Sequence, residues 1–157
     1  MNSHTHIWSE EQLKEGYYNG ILTIIGLHAS NSDRDRGLKE LSKKVGLSVY
    51  FTSGYAARVP GSNPSQISSF PIETINDSVS VKKWVDNRIA ENVDLIKVVR
   101  DSAEFFGAPP LPTLPYDSIR DLIKYAQSKG IITVVHTSGV EETIRISEFQ
   151  PDGFVHD

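Results

Sequence analysis

Ile131-Ile132-Thr133-Val134-Val135-His136 is the stretch whose reading decides the fold. It is a near-continuous apolar run rich in β-branched residues, the signature of a strand covered on both faces. It follows directly on the best-signalled helix in the chain. Pro115 stands in that helix's first turn, Ile119, Leu122, Ile123 and Ala126 share one face, and Gly130 comes just past the end. A helix feeding an apolar strand is the unit of a parallel α/β sheet. This strand ends on a histidine.

The same grammar extends outward in both directions. Ser3 to Trp8 reads as a short strand, and Ser9 with Glu10, Glu11 and Gln12 as a capped helix start running to about Gly16. Ile21 to His28 is a strand, Asp33 to Val45 an amphipathic helix stopped by Gly46, and Leu47 to Thr52 a strand. Asp77 to Glu91, with Val81, Trp84, Val85 and Ile89 on one face, is a helix leading into an Asp94 to Val99 strand. Beyond His136, Ser138 to Phe149 is a last helix and Asp152 to His156 a last short strand. Six strands therefore alternate with helices. The Asn19-Gly20 turn signal falls between a helix and a strand, so no hairpin is indicated. The chain is expected to be a parallel α/β protein with right-handed crossovers, either an open doubly wound sheet or a barrel. No Gly-x-Gly-x-x-Gly follows the first strand, which removes the main support for a dinucleotide fold.

Composition narrows the function. At 157 residues the chain is one ordinary domain, able to bury roughly two-thirds of its unfolded surface. A net charge of -4 without a basic block argues against a nucleic-acid surface. No apolar run is long enough to span a bilayer. The absence of cysteine excludes thiolate nucleophiles and sulfur-rich zinc sites, leaving His, Asp, Glu and carbonyl oxygen as ligands. The N-terminus lacks the basic and apolar regions of a secretory signal, so a cytoplasmic location is expected.

The chemistry-bearing residues collect at strand ends. His4 and His6, one residue apart on an extended strand, share a face while Thr5 takes the other. His136 and His156 close two later strands. Lys97 interrupts the apolar run Leu95 to Val99, where a fully buried strand should carry no charge. Two long loops, 54–76 and 101–114, lie on the side where α/β folds keep their active sites. Arg58, Tyr55, Phe105 and Phe106 on these loops are placed where they could touch a substrate, with loop packing the preferred reading, and His28 reads as structural.

These residues resemble the metal-dependent amidohydrolases, in particular the branch similar to imidazolonepropionase and to the binuclear-zinc peptide hydrolases. That family's first strand reads Asp-x-His-x-His, against Asn2-Ser3-His4-Thr5-His6 here. Its fourth reads Gly-Ala-Asp-Phe-Ile-Lys, against Asn92-Val93-Asp94-Leu95-Ile96-Lys97. The fifth reads Val-x-x-His-Ala, against Val134-Val135-His136-Thr137, and the sixth Asp-x-Ile-Glu-His, against Asp152-Gly153-Phe154-Val155-His156. The resemblance implies a (β/α)8 barrel in which His4 and His6 bind one zinc ion, His136 and His156 a second, and a carboxylated Lys97 bridges them. Such a lysine makes chemical sense: a buried ammonium is costly, while the neutral amine can add carbon dioxide to give an anionic oxygen ligand. The implied reaction is attack of a metal-activated hydroxide on an amide, lactam or peptide carbonyl, with a small-molecule or peptide-like substrate.

The chain departs from the family in three ways. The aspartate that ends the family's eighth strand and serves as general base is absent, so no catalytic residue is assigned. Gly61-Ser62-Asn63-Pro64 lacks the histidine of the family's Gly-Gly-His-Pro. A whole barrel takes roughly 250 residues, so residues 1–157 are expected to form a partial barrel of about six βα units, without the last strands or the flanking small β-domain. Such an arc would expose sheet edges and favour association. A catalytically inactive fragment acting as a binding or assembly partner is the alternative reading.

Overall fold

Six short strands follow one another around an arc in the order of the sequence, each connected to the next through the outer, helical layer. The computed structural model describes residues 1–157 apart from 30, 64–71, 77–78, 105–108 and 156–157. The strands are β1 (Asn2–Thr5), β2 (Thr23–Gly26), β3 (Val49–Thr52), β4 (Leu95–Val99), β5 (Ile132–His136) and β6 (Gly153–Val155). Between them run α1 (Glu10–Tyr18), α2 (Ser32–Leu41), α3 (Val81–Ala90), α4 (Tyr116–Ser128) and α5 (Val140–Ser147). All ladders are parallel, in two triplets ordered β1-β2-β3 and β4-β5-β6. Among the described residues no strand order reverses, which eliminates the doubly wound sheet: the fold is a partial (β/α)8-type barrel.

The two triplets are joined by a side-chain device. Asp94, just ahead of β4, donates its amide to the Thr52 carbonyl at 2.8 Å and accepts the Thr52 amide on Oδ2 at 2.9 Å. Five residues further on, Ala57 bridges to Val98, donating to the Lys97 carbonyl at 2.7 Å and accepting from the Val99 amide at 3.0 Å. Asp152 repeats the device ahead of β6, exchanging bonds with Thr133 in β5. A carboxylate thus stands in where the ladder lacks a backbone acceptor.

Each helix covers the outer side of the strands. Ile96, Val98 and Val135 pack against Trp84, Leu122 and Ile123, and Ile24 and Tyr50 against Leu13 and Leu38. Gly26 is required by this packing: a Cβ there would run into the Tyr50 ring, whose hydroxyl donates to Asp35 of α2 at 2.6 Å. Helix starts follow their caps. Asn31 accepts from the Arg34 amide and Ser80 from the Lys83 amide, so α2 and α3 begin beside these side chains. The α2 helix stops at Leu41 rather than Val45, and Gly46, at φ +91°, lies in the turn that follows.

The inner side differs from the expectation of strands covered on both faces. β4 is buried throughout, but Phe51 is 39% and Ile132 54% exposed, both on the inner wall. A six-strand arc curves round its interior without closing over it. No helix among the described residues is long and apolar enough to cross a membrane.

Candidate metal centre

Strand parity decides which side chains enter the interior. In β4, Ile96 and Val98 belong to the helix-facing core, so Leu95, Lys97 and Val99 face inward. Lys97 is only 4% exposed, and its Nζ lies 3.3 Å from His4 Nε2. Burial pushes its amine down from 10.5 to about 8. Lys97 is therefore a buried residue of the inner wall rather than a stem reaching to solvent.

His4 arrives from the opposite wall. The β1 register is irregular between Asn2 and Thr5, so contacts rather than alternation place the two rings: His4 Nε2 lies against the inward Lys97, and the His6 ring against those of His4 and His28. The His4 and His6 ring centroids are 5.6 Å apart, edge to face. A tetrahedral ion with bonds of ~2.1 Å to both rings would set the centroids about 5 Å apart, close to this spacing. His6 Nδ1 donates to the His28 carbonyl at 3.2 Å, and its ring stacks on Trp8. With the proton on Nδ1, the lone pair sits on Nε2, the arrangement that orients a metal-ligating histidine.

His28, read from the sequence as structural, stands beside this group. Its ring centroid is 6.3 Å from that of His6, and its Nδ1 accepts the Ala56 amide at 3.2 Å. Burial, then the charges of Arg58, His6 and Lys97, push it down to about 4, so it is neutral at pH 7. Its imidazole can donate a hydrogen bond but carries no charge.

His136 ends β5 opposite Val99 and Val155, on the same inner face as Lys97. One strand across and two residues along is a Cα separation of about 8 Å. Its Nε2 is 3.5 Å from Oδ2 of Asp101, a residue sequence reasoning did not single out. Asp101 is 2% exposed and accepts from the Ala103 amide and Ser138 hydroxyl, both at 2.8 Å, and from the Asn63 amide group. Burial works to raise its carboxyl, but these three bonds and the His136 charge outweigh it and hold the group below its ordinary value. An acid just past a strand end is too common a pattern to have marked it.

The fold thus brings His4, His6 and Lys97 together, with His136 on the same wall. His156 lies outside the described residues, as do Phe105 and Phe106 and much of the 54–76 loop. Among the described residues, no three His, Asp or Glu side chains form a ready metal cage. The donor set is two imidazoles and a lysine amine. It fits a divalent ion once that amine becomes an anionic oxygen donor.

No known family's sequence pattern matches the chain, and no curated protein matches it in sequence. Solved structures do match its shape. A Xaa-Pro dipeptidase with methionine bound in its active site superposes with a TM-score of 0.76 at 16% identity, over 98% of this chain and 46% of that one. A prolidase complexed with N-methylphosphonate-L-proline gives 0.70 at 15%, over 96% and 45%. The ochratoxinase of A. niger gives 0.71 at 12%, over 92% and 38%. The architecture is that of the prolidase and amidohydrolase barrels, and the chain spans less than half the length of these structures.

Proposed function

We propose that this arc carries the metal-binding wall of a hydrolase that cleaves amide, lactam or peptide C–N bonds. In this reading His4 and His6 would hold one divalent ion and His136 and His156 a second, a carboxylated Lys97 would serve both, and zinc would suit the imidazole and oxygen donors. The observation that carries it is Lys97 itself, buried on the inner wall with its amine 3.3 Å from His4 Nε2. The bound ions would polarise the scissile carbonyl and acidify a water.

The chain's own residues prepare this centre. His28 fixes the His6 ring through its carbonyl, and Asp101 holds the His136 ring while itself pinned by Asn63, Ser138 and Ala103. The substrate in this reading is a small molecule or peptide-like compound. The general base is not assigned to any residue of this chain.

Metal content by mass spectrometry tests the proposal. About two zinc equivalents per folded chain are expected, with near-complete loss in Lys97→Ala and His136→Ala. Unchanged occupancy in both variants would defeat it. A second reading, an inactive arc serving as a binding or assembly partner, is favoured by the exposed inner residues Phe51 and Ile132. Chelator-sensitive hydrolysis of peptides or lactams by the purified chain would rule that reading out.

A further inference from the structure

Two arginines of this chain are almost wholly buried, and they are treated differently. Arg88, 2% exposed, is met by Glu73 at 2.9 Å and Glu91 at 2.8 Å. Arg58, 3% exposed, makes no ion pair with a described carboxylate; Nε and Nη1 lack a hydrogen-bond partner in both arginines, so the difference between them is the missing carboxylate. A guanidinium keeps its charge at any working pH, and a buried charge without an anion is among the most costly features a fold can hold.

Its position follows from the same parity. Ala57 bridges Val98 and belongs with it to the helix-facing core, so Ala56 and Arg58 turn inward. The Ala56 amide binds His28 Nδ1, and the His28 carbonyl binds His6 Nδ1. Arg58 therefore stands on the same inner wall as Lys97, beside the histidine group. The interior presents two buried cationic side chains, Arg58 and Lys97, and a carboxylated Lys97 would be committed to the metal ions.

From this buried guanidinium, which meets no described carboxylate and leaves Nε and Nη1 without a partner, we infer that Arg58 receives an anionic group of the bound ligand, a carboxylate next to the bond to be cleaved. Charge-assisted hydrogen bonds shielded from water are among the stronger single contacts available to a protein. They select acids over neutral amides of the same shape. The inference rests on the hydrolase reading for what becomes of the bound molecule, though not for its binding.

The test compares N-acetylalanine with N-acetylalanine amide, two probes differing by one charge, titrated into the purified chain and followed by calorimetry and by the arginine Nε–H resonances. The acid is expected to bind roughly 10- to 100-fold more tightly than the amide. That gap should close in Arg58→Gln and narrow in Arg58→Lys, which keeps the charge but not the planar donors. Equal affinity for acid and amide in the wild-type chain, or no binding of the acid, would overturn the inference even if the variants fail to fold. An undiminished preference for the acid in a folded Arg58→Gln would overturn it too. Hydrolysis and metal content, measured on the same samples, separate the two proposals. Selective acid binding by a metal-free, inactive chain would sink the hydrolase reading alone. Hydrolysis without preference for the acid would sink this one alone.

Discussion

Nζ of Lys97 and Nε2 of His4 lie 3.3 Å apart, although 93 residues separate them in the sequence and they stand on opposite walls of the arc. Only the curvature of the sheet brings them together. Two basic nitrogens at this distance cannot both be protonated without strong repulsion, and burial already disfavours the ammonium.

That cost should be measurable in the metal-free chain. The folded-state value of Lys97 is lowered from 10.5 to about 8. Between those limits the unfolded chain binds more protons than the folded one, so stability rises with pH through the window. Lys97→Met removes the penalty. It should stabilise the fold by roughly 3 kcal/mol at pH 7, with the advantage shrinking toward pH 9.5. Urea midpoints of both proteins across that range, in chelator, check the size and the direction.

Gly26→Ala should be costly despite the small change. The new methyl would overlap the Tyr50 ring, which is wedged between α2 and the sheet with its hydroxyl on Asp35. A loss of about 2 kcal/mol is expected. Because the clash and the ring are one interaction, Gly26→Ala with Tyr50→Leu should cost less than the two changes summed. Thermal or denaturant unfolding of the three variants decides.

Asp152 accepts the Thr133 amide at 2.8 Å and the Thr133 hydroxyl at 3.0 Å, tying β6 to β5. Burial works to raise its carboxyl, but the Thr133 and Gln127 bonds prevail and hold it below 3.8. Its contribution is therefore fully present above 3.8 and lost as pH falls through the lower folded value. Asp152→Ala should cost about 1 kcal/mol at pH 7, and the difference from wild type should fade in strong acid. Denaturation of the two proteins at pH 7 and at the lowest pH that keeps both folded reads this out.

The inner wall presents Phe51 and Ile132 to solvent. Exposed apolar surface beside open sheet edges favours self-association. Sedimentation of the purified chain should show species larger than a monomer, and Phe51→Ser with Ile132→Ser should shift the distribution toward the monomer. A wild-type chain monomeric at high concentration would refute this.

Much of the architecture was legible because its signals are local. The helix from Tyr116 to Ser128 announces itself by one apolar face, a proline before it and a glycine after it, and a neighbouring apolar strand needs no tertiary information to be read. The nearness of His4 and His6 was also legible, since residues two apart on extended backbone stay close, although β1 is irregular between Asn2 and Thr5 and ends before His6. Ends were less secure: α2 stops at Leu41 because the chain turns before Gly46, although the apolar spacing continues to Val45.

The sequence alone determined that β and α units alternate, that the strands run parallel and that histidines and a lysine sit at or within them, because periodicity and caps act over a few residues. Strand order, and with it the choice of a barrel over a doubly wound sheet, depended on contacts such as Asp94 with Thr52, separated by 42 residues. The surroundings of Asp101 and His28, and the burial of Arg58 without a described carboxylate, likewise emerged only from the fold. An aspartate past a strand, a histidine at a strand end and an arginine in a loop are ordinary in sequence. What distinguishes them is the company and the burial that the curved sheet imposes, and those are properties of three-dimensional packing that no local pattern encodes.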